Sequence, residues 1–185
     1  MRIIGGTAGK RKIFVPARGR LRPTSDRVKE ALFQILPDLR GKAFLDLYAG
    51  AGSVGLEAIS RGAKRGVFVE RDKRLADAIR MNLERLGFQP CGEVWVRDAA
   101  AALTFFDTRG DRFDVIFADP PYEQGLVTSI LRKAASVGVL ADEGLLDAPA
   151  RIGARLGGGL RALADDGVIG GARGLEGVWA AAMRP

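Results

Sequence analysis

The sequence predicts an α/β fold on a doubly wound, mostly parallel sheet, with an N-terminal β-hairpin and helix as an extension. Three observations predict it. Short apolar runs alternate with stretches of helical periodicity, the order a parallel sheet requires. A glycine-rich turn, Ala49-Gly50-Ala51-Gly52-Ser53-Val54-Gly55, joins the first such run to its helix. Four acids, Asp46, Glu70, Asp98 and Asp119, fall at the ends of apolar runs, where open parallel sheets bind ligands.

In chain order, Ile3-Ile4 and Lys12-Ile13-Phe14-Val15 flank Gly5-Gly6 and read as a small hairpin. A helix follows, capped by Thr24, Ser25 or Asp26. It carries Val28, Ala31, Leu32, Ile35 and Leu36 on one face and stops at Pro37. These elements form a basic extension over residues 1–40, and residues 41–185 form the main domain. Ala43-Phe44-Leu45-Asp46-Leu47-Tyr48 is a buried strand. Glycines 50 and 52 permit a tight turn after it, and Gly55 permits close helix-to-sheet packing. Gly66-Val67-Phe68-Val69 is a second strand ending in Glu70, near the roughly 20-residue offset at which an acid meets ribose hydroxyls. Leu75, Ile79, Leu83 and Leu86 form the core stripe of a helix that ends at Gly87. Glu93-Val94-Trp95-Val96 is a third strand. Asp98 beyond it suits two roles, accepting from an adenine amino group and capping the helix that begins at Ala99. Phe113 to Ala118 is a fourth strand, and Leu126, Ile130 and Leu131 mark a further amphipathic helix.

Composition narrows the function. The chain has 185 residues, 47% of them hydrophobic, which suits one core and one domain. One cysteine and no histidine exclude an internal disulfide framework, a conventional zinc site and histidine acid/base chemistry. No stretch approaches the ~20 apolar residues of a membrane span, and Ile3-Ile4 is too short for a signal peptide, so a cytoplasmic location is expected. The net charge of +7 is unevenly placed: residues 1–42 hold 11 Lys or Arg against three acids, whereas the remainder holds 18 against 19. Lys10-Arg11-Lys12 with Arg18, Arg20, Arg22 and Arg27 forms a cluster suited to phosphates, although such a run also serves as a solvated face.

Asp119-Pro120-Pro121-Tyr122 carries the chemistry. An aromatic amine is a weak nucleophile because its lone pair is delocalised into the ring. The Asp119 carboxylate and the Pro120 carbonyl can accept the amine's two protons and free that lone pair for a methyl donor. Pro121 stiffens the turn, and Tyr122 offers a face on which a flipped base stacks. A strand end followed by a proline turn is the plain alternative. The glycine turn by itself also suits a nicotinamide cofactor.

Met1-Arg-Ile-Ile-Gly-Gly6, Leu21-Arg-Pro-Thr-Ser-Asp-Arg-Val-Lys-Glu-Ala-Leu-Phe33, the segment from Leu45 to Gly62 and Asp119-Pro-Pro-Tyr122 together resemble the RsmD family, from Met1 to about Leu146. These are bacterial S-adenosylmethionine-dependent enzymes of Rossmann-like class I fold that methylate the N2 amine of a guanine in 16S ribosomal RNA. The resemblance implies S-adenosylmethionine as cofactor. Asp46, Ala49, Gly50 and Gly52 would hold its methionine part, Glu70 its ribose, and Asp98 with Ala99 its adenine. It implies Asp119, Pro120 and Tyr122 on the guanine, with Arg22 and Thr24 bordering the site and Lys10, Arg11 and Arg27 on RNA. The implied partner is 16S ribosomal RNA in the small subunit or its assembly intermediate, met by a monomer without metal or membrane. Two other readings share the motifs: an amino methyltransferase acting on DNA or a protein amide, and a non-catalytic RNA-binding relative.

Beyond Leu146 the pattern changes. Residues 144–185 contain 10 of the 25 glycines, and only Val168-Ile169 and Val178-Trp179 hint at strands. Such a tail is what a reading-frame change in a GC-rich gene would produce, and it leaves completion of the sheet in doubt.

Overall fold

A computed structural model describes residues 1–16, 26–36, 38–120, 126–141, 171–175 and 178–182. The first strand, β1 (Ala43–Leu47), is buried on both faces, as expected of a central parallel strand. It is preceded by α1 (Asp26–Ile35) and followed by α2 (Ser53–Ser60). Then come β2 (Arg65–Glu70), α3 (Lys73–Leu86), β3 (Gly92–Val96), α4 (Ala99–Arg109), β4 (Val115–Ala118) and α5 (Leu126–Ser136). Two strands, β5 (Gly171–Leu175) and β6 (Val178–Ala182), close the described chain. Among the described residues no helix is long and apolar enough to cross a membrane.

The strand order is β3-β2-β1-β4-β6-β5, with every pair parallel except β5 with β6. The order reverses between β1 and β4. Helices leaving the two strands there diverge to opposite faces and open a crevice at the strands' carboxyl ends. Side-chain alternation divides the core accordingly. Leu45, Leu47, Val67, Val69 and Ile116 pack with α4 and α5 through Leu103, Phe106 and Ile130. On the opposite face Phe68 packs with Leu56, Ile59, Ile79 and Leu83, while Phe44, Val115 and Phe117 meet Leu32 and Phe33 of α1. Gly55 is required where α2 crosses β2, since a Cβ there would lie 2.3 Å from the Phe68 ring. The end of α3 is equally plain: Gly87 adopts φ 76° and its N–H returns to the carbonyls of Leu83 and Glu84.

Two expectations are refined. The N-terminal hairpin is present but short: Arg2 bridges Lys12 antiparallel around a 3₁₀ turn at Gly6–Ala8, with Ile3 N–H donating to the Arg11 carbonyl at 2.9 Å and Ile13 N–H to the Met1 carbonyl at 3.1 Å. It stays short because the donors that follow Ile3 turn toward α2. The N–H groups of Ile4 and Gly5 donate to the Glu57 carboxylate at 2.7 and 2.8 Å, and that of Ala8 donates to Ser60 Oγ. The second correction concerns the tail. Despite its glycine content it supplies β6, which pairs with β4, and β5, which pairs with β6. Pairing is a main-chain property, and side-chain alternation only selects which face is buried. Val178-Trp179 falls within β6, while Val168-Ile169 lies outside the described residues.

Candidate active site

The crevice between β1 and β4 is floored by the turn that follows β1. The chain leaves β1 through Tyr48, whose φ of 63° is an outlier for a bulky side chain, and then turns at Gly50 (φ 58°) and Gly52 (φ 82°). Hydrogen bonds fix the turn from both sides. Ala49 N–H donates to the Val69 carbonyl of β2, and Gly52 N–H to the Ala49 carbonyl at 2.7 Å. Asp46, 2% exposed, lies beneath the turn and accepts from Gly55 N–H at 2.9 Å. Glu70 leaves β2 beside it. One carboxylate oxygen accepts from Gly50 N–H and the other from Asp72 N–H, each at 2.9 Å.

The remaining acids complete the rim. Asp98 caps α4, accepting from the N–H groups of Ala100 and Ala101 at 2.9 and 3.1 Å through one oxygen. Its other oxygen has no hydrogen-bond partner among the described residues. Both roles read from the sequence are therefore compatible in one side chain. Ala99 is buried behind it. Asp119 follows β4 directly and is half-buried, with Pro120 buried beyond it. Burial raises Asp119 to about 7. Burial also raises Asp46 to about 8, reinforced by the charges of Asp119 and Glu70 and opposed by the Gly55 N–H. The crevice thus gathers Asp46, Glu70 and Asp119 around one turn, an environment that favours a cationic ligand.

This geometry discriminates between the cofactors the sequence left open. A dinucleotide pyrophosphate needs free N–H groups at the glycine turn and helix N-terminus. Here the Gly50 and Gly55 N–H groups are already engaged by carboxylates. A ligand bearing an ammonium and a sulfonium fits the acid-lined turn, and a pyrophosphate does not. Gly50, Gly52 and Ala49 would face its amino-acid part, Glu70 its ribose and Asp98 its adenine.

The basic residues divide. Lys10 is exposed at φ 69°, and Arg27 is exposed on α1. Arg11 is engaged elsewhere: its guanidinium donates to the Arg85 and Leu86 carbonyls at the end of α3, where a cation meets the negative pole of the helix. Arg22, Thr24 and Tyr122 lie outside the described residues.

A family model described as "Conserved hypothetical protein 95" matches residues 1–148. Ribosomal RNA small subunit methyltransferase D of Escherichia coli (strain K12) is 37% identical over 147 residues, covering 79% of this chain and 72% of that protein. The chain belongs to the RsmD family. The Bacillus subtilis (strain 168) protein YlbH is 35% identical over 147 residues, covering 79% of this chain and 80% of that one. The solved structure of the Escherichia coli protein yhhF is 36% identical, with a TM-score of 0.68 over 78% of this chain and 77% of that chain. A hypothetical protein from Thermus thermophilus superposes with a TM-score of 0.67 at 33% identity, over 78% of this chain and 82% of that chain.

Three features of this RsmD family member escape the motifs. Lys29 and Glu57 are both 0% exposed and 3.9 Å apart, tying α1 to α2, and Glu57 also accepts from Arg61 Nε. Burial lowers the Lys29 pKa against the pull of Glu57 and Asp26. Asn82 is a buried amide on the apolar face of α3. A polar residue inside an apolar stripe was the available signal for Asn82 and for Glu57. The left-handed Tyr48 has no comparable signal in the sequence.

Proposed function

We propose that this rRNA methyltransferase moves a methyl group from S-adenosylmethionine to the exocyclic N2 amine of a guanine in 16S ribosomal RNA. The observation that carries the reading is the position of Asp119-Pro120 directly after β4, across the switch point from the acid-lined turn after β1. An amine held there faces the crevice in which the cofactor's sulfonium would lie.

S-adenosylmethionine supplies an activated methyl group on a sulfonium. Asp46 and Glu70 fix the turn through Gly55 and Gly50, so its donors and acceptors are set before ligand arrives. Asp119 in its ionised form and the Pro120 carbonyl accept the two amine protons, which directs the nitrogen lone pair toward the crevice. Placing amine and methyl at near-attack distance is the main source of acceleration. Tyr122 stacks on the flipped guanine. Once methylated the amine is cationic and loses its proton readily, so Asp119 serves chiefly as an acceptor.

The test is a panel in which labelled S-adenosylmethionine is offered with unmethylated small ribosomal subunits, duplex DNA and unfolded protein. Label on ribosomal RNA alone supports the reading. Label on DNA or protein alone refutes it.

A further inference from the structure

Residues 11–14 run along the last two turns of α3. Arg11 donates to the carbonyls of Arg85 and Leu86, and Phe14 lies against Asn82. Asn82, 1% exposed, pairs with Phe14 as a neighbouring strand would. Its Oδ1 accepts from Phe14 N–H at 2.7 Å, and its Nδ2 donates to the Phe14 carbonyl at 2.9 Å and to the Ala51 carbonyl at 3.4 Å. The backbone of Phe14 is therefore fixed on both its polar groups. Its ring is not used in the core: Ile13 points inward and is buried, while Phe14 is 39% exposed, one of three large apolar side chains left out among the described residues.

The segment that carries the ring and the helix end it runs along are rich in cations. Lys10 and Lys12 are exposed on the same segment and Arg85 is exposed on α3, none of them ion-paired among the described residues. Glu84 is the acid on this stretch of α3. Met81, 44% exposed, stands one turn before Arg85. A partly exposed aromatic ring on a hydrogen-bonded backbone, in a segment with unpaired cations, is an arrangement that suits single-stranded nucleic acid, the ring taking a base and the cations taking phosphates.

We infer that Phe14, flanked by Lys10, Lys12 and Arg85, forms a base-stacking platform for a single-stranded RNA nucleotide outside the methyl-transfer crevice. This rests on the reading of the chain as an RNA methyltransferase. Asn82 is a positioning residue for the platform. Because it also reaches Ala51, the platform is set at a fixed distance from the cofactor turn.

The experiment measures binding of a fluorescein-labelled single-stranded RNA, and separately of S-adenosylhomocysteine, to the wild type and to Phe14→Ala, Phe14→Trp and Lys12→Ala. The hydrogen bonds to Asn82 come from the Phe14 backbone and are kept in every variant, and the S-adenosylhomocysteine readout reports any loss of fold. Phe14→Ala weakens RNA binding roughly 5- to 100-fold with S-adenosylhomocysteine affinity unchanged, and Phe14→Trp restores it. Lys12→Ala lowers the slope of log affinity against log salt by about 1. The inference is overturned if Phe14→Ala binds RNA within twofold of wild type, or loses both ligands together. It is also overturned if the substitution dissociates a dimer in sedimentation, which would assign the ring to a second copy of the chain. Failure of the wild type to bind S-adenosylhomocysteine at all would instead refute the underlying enzymatic reading.

Discussion

In the proposed reaction the ionised Asp119 carboxylate is a better acceptor for the amine protons than the neutral acid, and burial raises its pKa to about 7. Lowering the pH from 8 to 6 is therefore the informative perturbation. At pH 8 about nine-tenths of Asp119 is ionised and at pH 6 about one-tenth, so kcat/KM falls roughly tenfold over that interval, about 1.4 kcal/mol per pH unit once below the pKa. Stability moves in the opposite direction. The folded-state pKa lies above the ordinary 3.8, so the contribution of Asp119 is fully present below about pH 4 and is lost as pH rises toward 7. Asp46, raised to about 8, extends the same loss to about pH 8. The assay is single-turnover methyl transfer to unmethylated small subunits between pH 5.5 and 9, with urea unfolding of the free protein over the same range. Asp119→Asn flattens the rate profile and lowers the plateau about 10²- to 10³-fold, the usual loss for a group that stabilises developing charge. A flat wild-type profile between pH 6 and 8, or a sloped one that survives in Asp119→Asn, refutes the reasoning.

Three further outcomes are expected. Asp98→Ala destabilises the protein by about 1 kcal/mol through the lost cap of α4. Asp98→Asn keeps the cap but, if Asp98 holds the adenine as proposed, weakens cofactor binding up to about tenfold, because an amide N–H₂ replaces an acceptor; calorimetry and urea unfolding separate the two effects. Gly55→Ala places a Cβ 2.3 Å from the Phe68 ring and costs about 1–3 kcal/mol or more in urea unfolding, partly recovered by adding Phe68→Leu. Glu57→Gln removes the buried charge partner of Lys29, leaving it the half-exposed Asp26 at 3.7 Å, and weakens acceptance from the Ile4 and Gly5 N–H groups; it costs about 3 kcal/mol, of which Lys29→Met in the same chain restores the part due to the charge, as a thermal unfolding series will show.

Local pattern made most of the domain legible. The glycines, the apolar run of β1 and the stripe ending at Gly87 each state a backbone requirement in few residues, and the strands and helices from β1 to α5 follow the predicted order. The strand-end acids were legible for the same reason, since parallel topology brings strand ends together whatever their separation in sequence. Long-range pairing was not legible. Nothing local in Ile4-Gly5 says that its N–H groups turn to Glu57, which is 53 residues from Ile4. The same holds for Arg11, whose bonds to the carbonyls at the end of α3 have no local sign in the sequence. The tail misled in another way. Gly171 to Leu175 lacks apolar alternation yet forms a strand, because its ladder to β6 uses main-chain groups alone.

The identity of the methylated atom tests the account most directly. Unmethylated small subunits are incubated with labelled S-adenosylmethionine and either the wild type or Asp119→Ala, and the RNA is digested to nucleosides. The account predicts label in N2-methylguanosine with the wild type and its loss with Asp119→Ala. Label in any other nucleoside, or N2-methylguanosine formed equally by Asp119→Ala, contradicts it.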